Sequence, residues 1–158
     1  MYKERKKAMG ASTSISSRVL NNTYVSFSLK DSWAVYLHEE LILNNLSNFF
    51  GPIESVVHEF DLTSEQVAPT IKNIMSNSNT IIIYITRESA GSYFQAIEIN
   101  NAVQSNAKII YIMTDKTYTP ENTSFLKHFI QSHDWFPAYD DETLDKTLEE
   151  LVTLLKIK

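Results

Sequence analysis

Five consecutive apolar residues, Ile81-Ile82-Ile83-Tyr84-Ile85, constrain the fold of this chain more than any other feature. Successive side chains of a strand point to opposite faces, so a strand with no polar alternate must be covered on both. A second run, Lys108-Ile109-Ile110-Tyr111-Ile112-Met113, has the same character. Between them lies a helical pattern carrying Ile97, Ala102 and Val103. Doubly buried strands joined by helix-length segments define a parallel sheet with helices on both faces.

The rest of the chain continues the alternation. Thr23-Tyr24-Val25-Ser26-Phe27-Ser28 is β-branched and aromatic and predicts a first strand. A helical stripe through Trp33, Leu37, Leu41 and Ile42 follows, with Asp31 or Ser32 as its N-cap. Gly51-Pro52 breaks the chain before Ser55-Val56-Val57-His58-Glu59-Phe60, which predicts a second short strand. Val67, Ile71, Ile74 and Met75 share one helical face. After the fourth strand come a polar turn with Pro120 and a helical segment around Phe125, Leu126, Phe129 and Ile130. Trp135-Phe136-Pro137-Ala138-Tyr139 suits an edge strand, where a proline is tolerated. Leu144, Leu148, Leu151 and Leu155 then mark a last helix, capped by Asp141 or Thr143. The prediction is a flavodoxin-like α/β/α sandwich with five parallel strands in the order 2-1-3-4-5. Residues 1–22, basic and then small and polar, read as a mobile arm, and residues 23–158 as one domain.

Composition removes several chemistries. The chain has no cysteine, so disulfides, thiolate catalysis and cysteine zinc sites are excluded. Its three glycines cannot build a dinucleotide fingerprint or a P-loop. His38, His58, His128 and His133 are scattered over different elements, and no metal site is expected. A net charge of −5 argues against nucleic-acid binding. No apolar run approaches the roughly 18 residues of a membrane span, and no secretory signal opens the chain, so a cytoplasmic location is expected.

Ligands of open α/β sheets bind at the carboxyl ends of the strands, at the switch point between strands one and three. Two segments reach that rim: Ser26 through Asp31 after the first strand, and Ser92 through Glu98 after the third. Read from the residues alone, they supply hydroxyls and one carboxylate, Glu98, which is the candidate for chemistry.

The order of these features resembles a TIR domain (Toll/interleukin-1 receptor homology). Val25-Ser26-Phe27-Ser28-Leu29-Lys30-Asp31 is similar to the family's opening motif, a hydrophobic strand ending in a serine-rich turn and an Asp. Ser92-Tyr93-Phe94-Gln95-Ala96-Ile97-Glu98 resembles its serine–aromatic–Glu motif, with Phe94 where the family usually has Trp. Glu59 through Glu65 falls where the family's BB loop lies, with Thr63-Ser64 in place of its usual glycine.

The resemblance implies an enzyme that cleaves the nicotinamide–ribose bond of NAD+, with Glu98 as catalytic residue and NAD+ as substrate rather than cofactor. Ser26, Phe27, Ser28, Lys30, Asp31, Phe60, Ser92 and Phe94 are the implied binding residues. Ser26, Ser28 and Lys30 would contact ribose or phosphates, and Phe94, Phe60 or Trp33 would face a flat ring. It also implies self-association through TIR–TIR contacts. In a bacterial anti-phage setting of the Thoeris kind, the product, ADP-ribose or a cyclic form, would activate a separate effector protein. Two alternatives stay open: a non-catalytic TIR adaptor, and an enzyme like the nucleoside deoxyribosyltransferases, which also use a glutamate on an α/β sheet.

Overall fold

The computed structural model describes residues 21–44, 47–116 and 135–156. The expected helix around Phe125 to Ile130, the Pro120 turn and nearly all of the N-terminal arm lie outside these residues, as do His128 and His133.

Five parallel strands, β1 (Asn21–Ser26), β2 (Ser47–Phe50), β3 (Thr80–Ile85), β4 (Lys108–Met113) and β5 (Trp135–Pro137), form one sheet in the order β2-β1-β3-β4-β5. The described helices are α1 (Ser32–Leu43), α2 (Ile53–Phe60), α3 (Ser64–Ser76), the short α4 (Arg87–Ala90), α5 (Tyr93–Ala102) and α6 (Asp141–Lys156).

The isoleucine run is divided between two cores. Ile81, Ile83 and Ile85 join Tyr24, Ile53, Ile71, Met75 and Ile99 under α2, α3 and α5. Ile82 and Tyr84 join Val25, Phe27, Leu37, Leu41, Leu144 and Leu151 under α1 and α6. Every residue of β3 is buried, which is why the run carries no polar alternate.

The second strand differs from its sequence-based prediction. Ser55–Phe60 is not a strand; it belongs to α2, and β2 is the preceding Ser47–Phe50. Val56 and Val57 pack on the core from a helix, alongside Ile53. A spacing of three and four residues outweighed the strand propensity of the Val-Val pair. β2 is an edge strand with one side in solvent, so Ser47 and Asn48 suffice there. Gly51 makes the turn out of β2 with φ 83. A Cβ on it would stand 2.6 Å from the Val25 carbonyl oxygen and 2.9 Å from the Tyr24 ring. Both the backbone angle and the close approach therefore require glycine.

Two smaller corrections follow. β1 begins at Asn21, two residues inside the expected arm, because Asn21 and Asn22 pair with Ser47 and Asn48. The last helix is capped by Asp140, whose Oδ1 accepts from Thr143 N at 2.9 Å, rather than by Asp141 or Thr143. The Asp31 cap of α1 is present, with Oδ1 accepting from Ala34 N at 3.1 Å.

Candidate active site

Two periodicities bring the polar residues of the rim together. In β1, Tyr24 and Ser26 are two apart and share the face beneath α5. In α5, Gln95 and Glu98 are three apart and share the face turned to the sheet. Ser92 starts that helix as its N-cap, its hydroxyl accepting from Gln95 N at 3.1 Å.

Glu98 is fully buried, and three donors from two other elements hold it. The Tyr24 hydroxyl donates to Oε2, the Ser26 hydroxyl to Oε1 at 2.8 Å, and Ile53 N to Oε2 at 3.0 Å. Ile53 opens α2, and Pro52, at the N-cap, has no side-chain oxygen to offer its amides. Glu98 takes up one of the free N–H groups that every helix start presents, where the helix dipole also favours a negative charge. Burial pushes the Glu98 carboxyl from 4.5 up to about 7; the bonds from Tyr24, Ile53 and Ser26 pull the other way. Tyr24 is driven up as well, first by burial and then by the Glu98 charge. The result is a carboxyl that changes charge near neutrality, set on rigid elements at the switch point between β1 and β3.

Behind it, Gln95 is also fully buried. Its Nε2 lies 2.9 Å from the Tyr84 carbonyl oxygen and 3.2 Å from Ser26 Oγ.

The remaining candidates fall into separate groups. Ser26 joins Glu98 directly. Phe94, half-buried, packs on the same core, with Tyr93 edge-on to it at 5.6 Å. Phe27 points to the opposite face of the sheet, against His38 and Tyr84 at 5.4 and 5.6 Å between ring centroids. Phe60 is at the far end of α2 and exposed. The structure brings neither of these aromatics to Glu98. Asp31 caps α1 and accepts from Thr114 Oγ1 at 3.0 Å, tying that helix to the end of β4. Trp33 donates its indole N–H to the Ala138 carbonyl and stacks on Tyr36, so it serves the packing of α1.

Lys30 and Asp31, with Trp33, Thr86, Glu88 and Thr114, line a shallow crevice of about 290 Å³ at the ends of β1, β3 and β4. Asp115 adds a third carboxylate to those of Asp31 and Glu88. Lys30 is the one cation among the described lining residues.

The segment matched to the BB loop, Glu59 through Glu65, holds the end of α2, Asp61 with φ 50, and the start of α3. Gln66 Oε1 accepts from Thr63 N there, at 2.9 Å, as in a capping box. The loop that leaves β2 is Gly51-Pro52, and it does carry a glycine. Tyr24, the Ile53 amide and Gln95 were missed as site residues. The period of two in β1 and the i, i+3 pair in α5 carried a signal for Tyr24 and Gln95, whereas the Ile53 amide left none.

An open five-stranded parallel sheet in this order, with a glutamate buried at its switch point, is a flavodoxin-like α/β domain with its candidate site where such sheets bind ligands. The chain belongs to the family described as Thoeris protein ThsB, TIR-like domain, which matches residues 24–119, more than half of its length. Among curated proteins, none matches. Two solved structures share the fold. The CMP N-glycosidase BcmB of Clostridium botulinum is 16% identical with a TM-score of 0.57, over 85% of this chain and 100% of that one. A prokaryotic SEFIR domain is 14% identical with a TM-score of 0.56, over 85% of this chain and 98% of that one.

Proposed function

We propose that the chain cleaves the nicotinamide–ribose bond of NAD+, with Glu98 acting on the ribose. The observation that carries this reading is Glu98 itself, a carboxyl held by three donors at the switch point, in a member of a Thoeris TIR-like family.

As the glycosidic bond lengthens, positive charge spreads over the ribose C1′ and ring oxygen. An ionised carboxylate beside the ribose stabilises that charge electrostatically. Nicotinamide leaves as a neutral base, so a single carboxylate suffices. Water capturing the cation gives ADP-ribose, and an internal nucleophile gives a cyclic product. Glu98 is fully buried, so a ribose hydroxyl reaches it only when the groups that cover it move aside. Ser26 holds Glu98 directly, and Phe94 lies one helical turn before it in α5. Ser28, Lys30, Asp31 and Ser92 lie on the same rim. Self-association through TIR–TIR contacts and delivery of the product to an effector protein belong to the same proposal.

A second reading rests on the Clostridium botulinum neighbour, a CMP N-glycosidase, because a nucleotide N-glycosidic bond breaks through the same kind of cation. The test is concentrated wild type beside Glu98→Gln, incubated with NAD+ and separately with CMP, with products separated by chromatography and mass. Nicotinamide released by wild type and reduced at least about 100-fold in the variant supports the NAD+ reading. Cytosine released from CMP alone moves the assignment to the second. No turnover of either at high concentration leaves a non-catalytic adaptor.

A further inference from the structure

We propose that Gln95 is a positioning residue for Glu98: its side-chain amide orients the Ser26 hydroxyl so that the Ser26 proton faces the Glu98 carboxylate. For catalysis this rests on the reading of Glu98 given above; the proton geometry stands independently of it.

The orientation of the Gln95 amide follows from its surroundings. Nε2 faces the Tyr84 carbonyl oxygen at 2.9 Å and the Ser26 carbonyl oxygen at 3.3 Å. Turned over, the amide would set Oε1 against those two acceptors, so the nitrogen must stand there. Gln95 Oε1 in turn has no partner among the described residues, although the side chain is fully buried. The amide is thus placed for what it donates.

One N–H serves Tyr84 O; the other is shared between the Ser26 carbonyl and, at 3.2 Å, Ser26 Oγ. Toward Oγ the amide can only donate, so the single hydroxyl proton of Ser26 is left for Glu98 Oε1 at 2.8 Å. The same amide spans a gap in the sheet. Pairing between β1 and β3 ends at Ser26 and Ile83, whereas β3 and β4 stay paired to Ile85 and Met113. Gln95 joins the Ser26 and Tyr84 carbonyls just where the ladder stops, and so fixes the backbone that carries Ser26.

Tyr24 of β1 and Glu54 of α2 are the titratable groups that act on Glu98. His58 and Glu59 of α2, Glu65 and Lys72 of α3, and Glu88 of α4 are exposed, and none of them changes in the variants below.

The test is a ¹³C-carboxyl NMR titration of Glu98 in wild type, Gln95→Met, Ser26→Ala and the double variant, together with the pH profile of NAD+ turnover. Methionine fills similar space but donates nothing. Losing the Ser26 donor should raise the Glu98 midpoint by about one pH unit in Ser26→Ala, and freeing the Ser26 hydroxyl to turn from Glu98 should raise it in the same direction in Gln95→Met. The double variant should match Ser26→Ala alone, since both changes remove the same interaction. The acid limb of turnover in Gln95→Met should move with the Glu98 midpoint. An unmoved midpoint in Gln95→Met, or a shift that adds in full to that of Ser26→Ala, overturns the proposal. If NAD+ is not turned over, the titration decides alone. If Gln95→Met does not fold, wild type decides: a hydrogen-bond coupling between the Ser26 hydroxyl proton and the Glu98 carboxyl carbon supports the proposal, and a Ser26 hydroxyl proton without that coupling overturns it.

Discussion

Glu98 subjects the protein to two opposite pH dependences. Its carboxyl titrates at about 7 in the folded state against an ordinary 4.5, so between those values the folded protein keeps a proton that the unfolded chain has lost. Stability from this residue is therefore fully present below about 4.5 and falls as pH rises through about 7. The interval corresponds to about 3 kcal/mol. Glutamine has no such titration. Denaturant unfolding at pH 5 and pH 8 should show Glu98→Gln gaining on wild type by up to about 3 kcal/mol at the higher pH. Catalysis runs the other way, because the proposed chemistry needs the ionised form: NAD+ turnover should climb with an acid limb near 7. A profile flat from pH 5.5 to 8.5 would sever Glu98 from the rate.

The turn from β2 into α2 is where local sequence and tertiary structure met most closely. Gly51 combines a positive φ with a would-be Cβ contact on the Val25 carbonyl oxygen, whereas Gly91 has open space at the same place. Gly51→Ala should cost at least about 2 kcal/mol by denaturant unfolding, and Gly91→Ala should stay within about 0.5 kcal/mol. Because Gly51 aims the first amide of α2 at Glu98, the same substitution should also raise the Glu98 midpoint. Asp31 behaves as an element-scale residue too. Asp31→Ala removes the cap of α1 and should cost about 1 kcal/mol, while Asp31→Asn, which still caps, should be near neutral. The α1 cap and the apolar faces of α3 and α6 were legible in the sequence. β2 and α2 were not, because an edge strand needs little apolar sequence and Val-Val suits a strand as well as a helix face.

Across the whole molecule, stability should be graded from the middle of the sheet outward. β3 lies between β1 and β4 and is covered on both faces, whereas β2 and β5 are edges. Amide hydrogen exchange should find Ile81–Ile85 protected close to the global limit and Asn48–Phe50 exchanging far faster. Equal protection in the two strands would contradict this layering. No helix among the described residues is long and apolar enough to cross a membrane. The two cores are built from alternate residues of the same strands, so a change of side-chain size in β3 disturbs one helical layer and spares the other.

By itself, the sequence determined the fold class, the position of the third and fourth strands, and the glutamate that follows the third. Each of these depends on periodicity or on short motifs, which are local properties of the chain. Only the tertiary structure decided what Glu98 touches. Tyr24 and Ser26 come from β1 and the Ile53 amide from α2, both far from Glu98 in the chain, and one of the three is a backbone group with no side-chain signature. It also sent Phe27 to the far face of the sheet and left Phe60 in solvent, because the facing of a strand and the end of a helix are settled by register and packing.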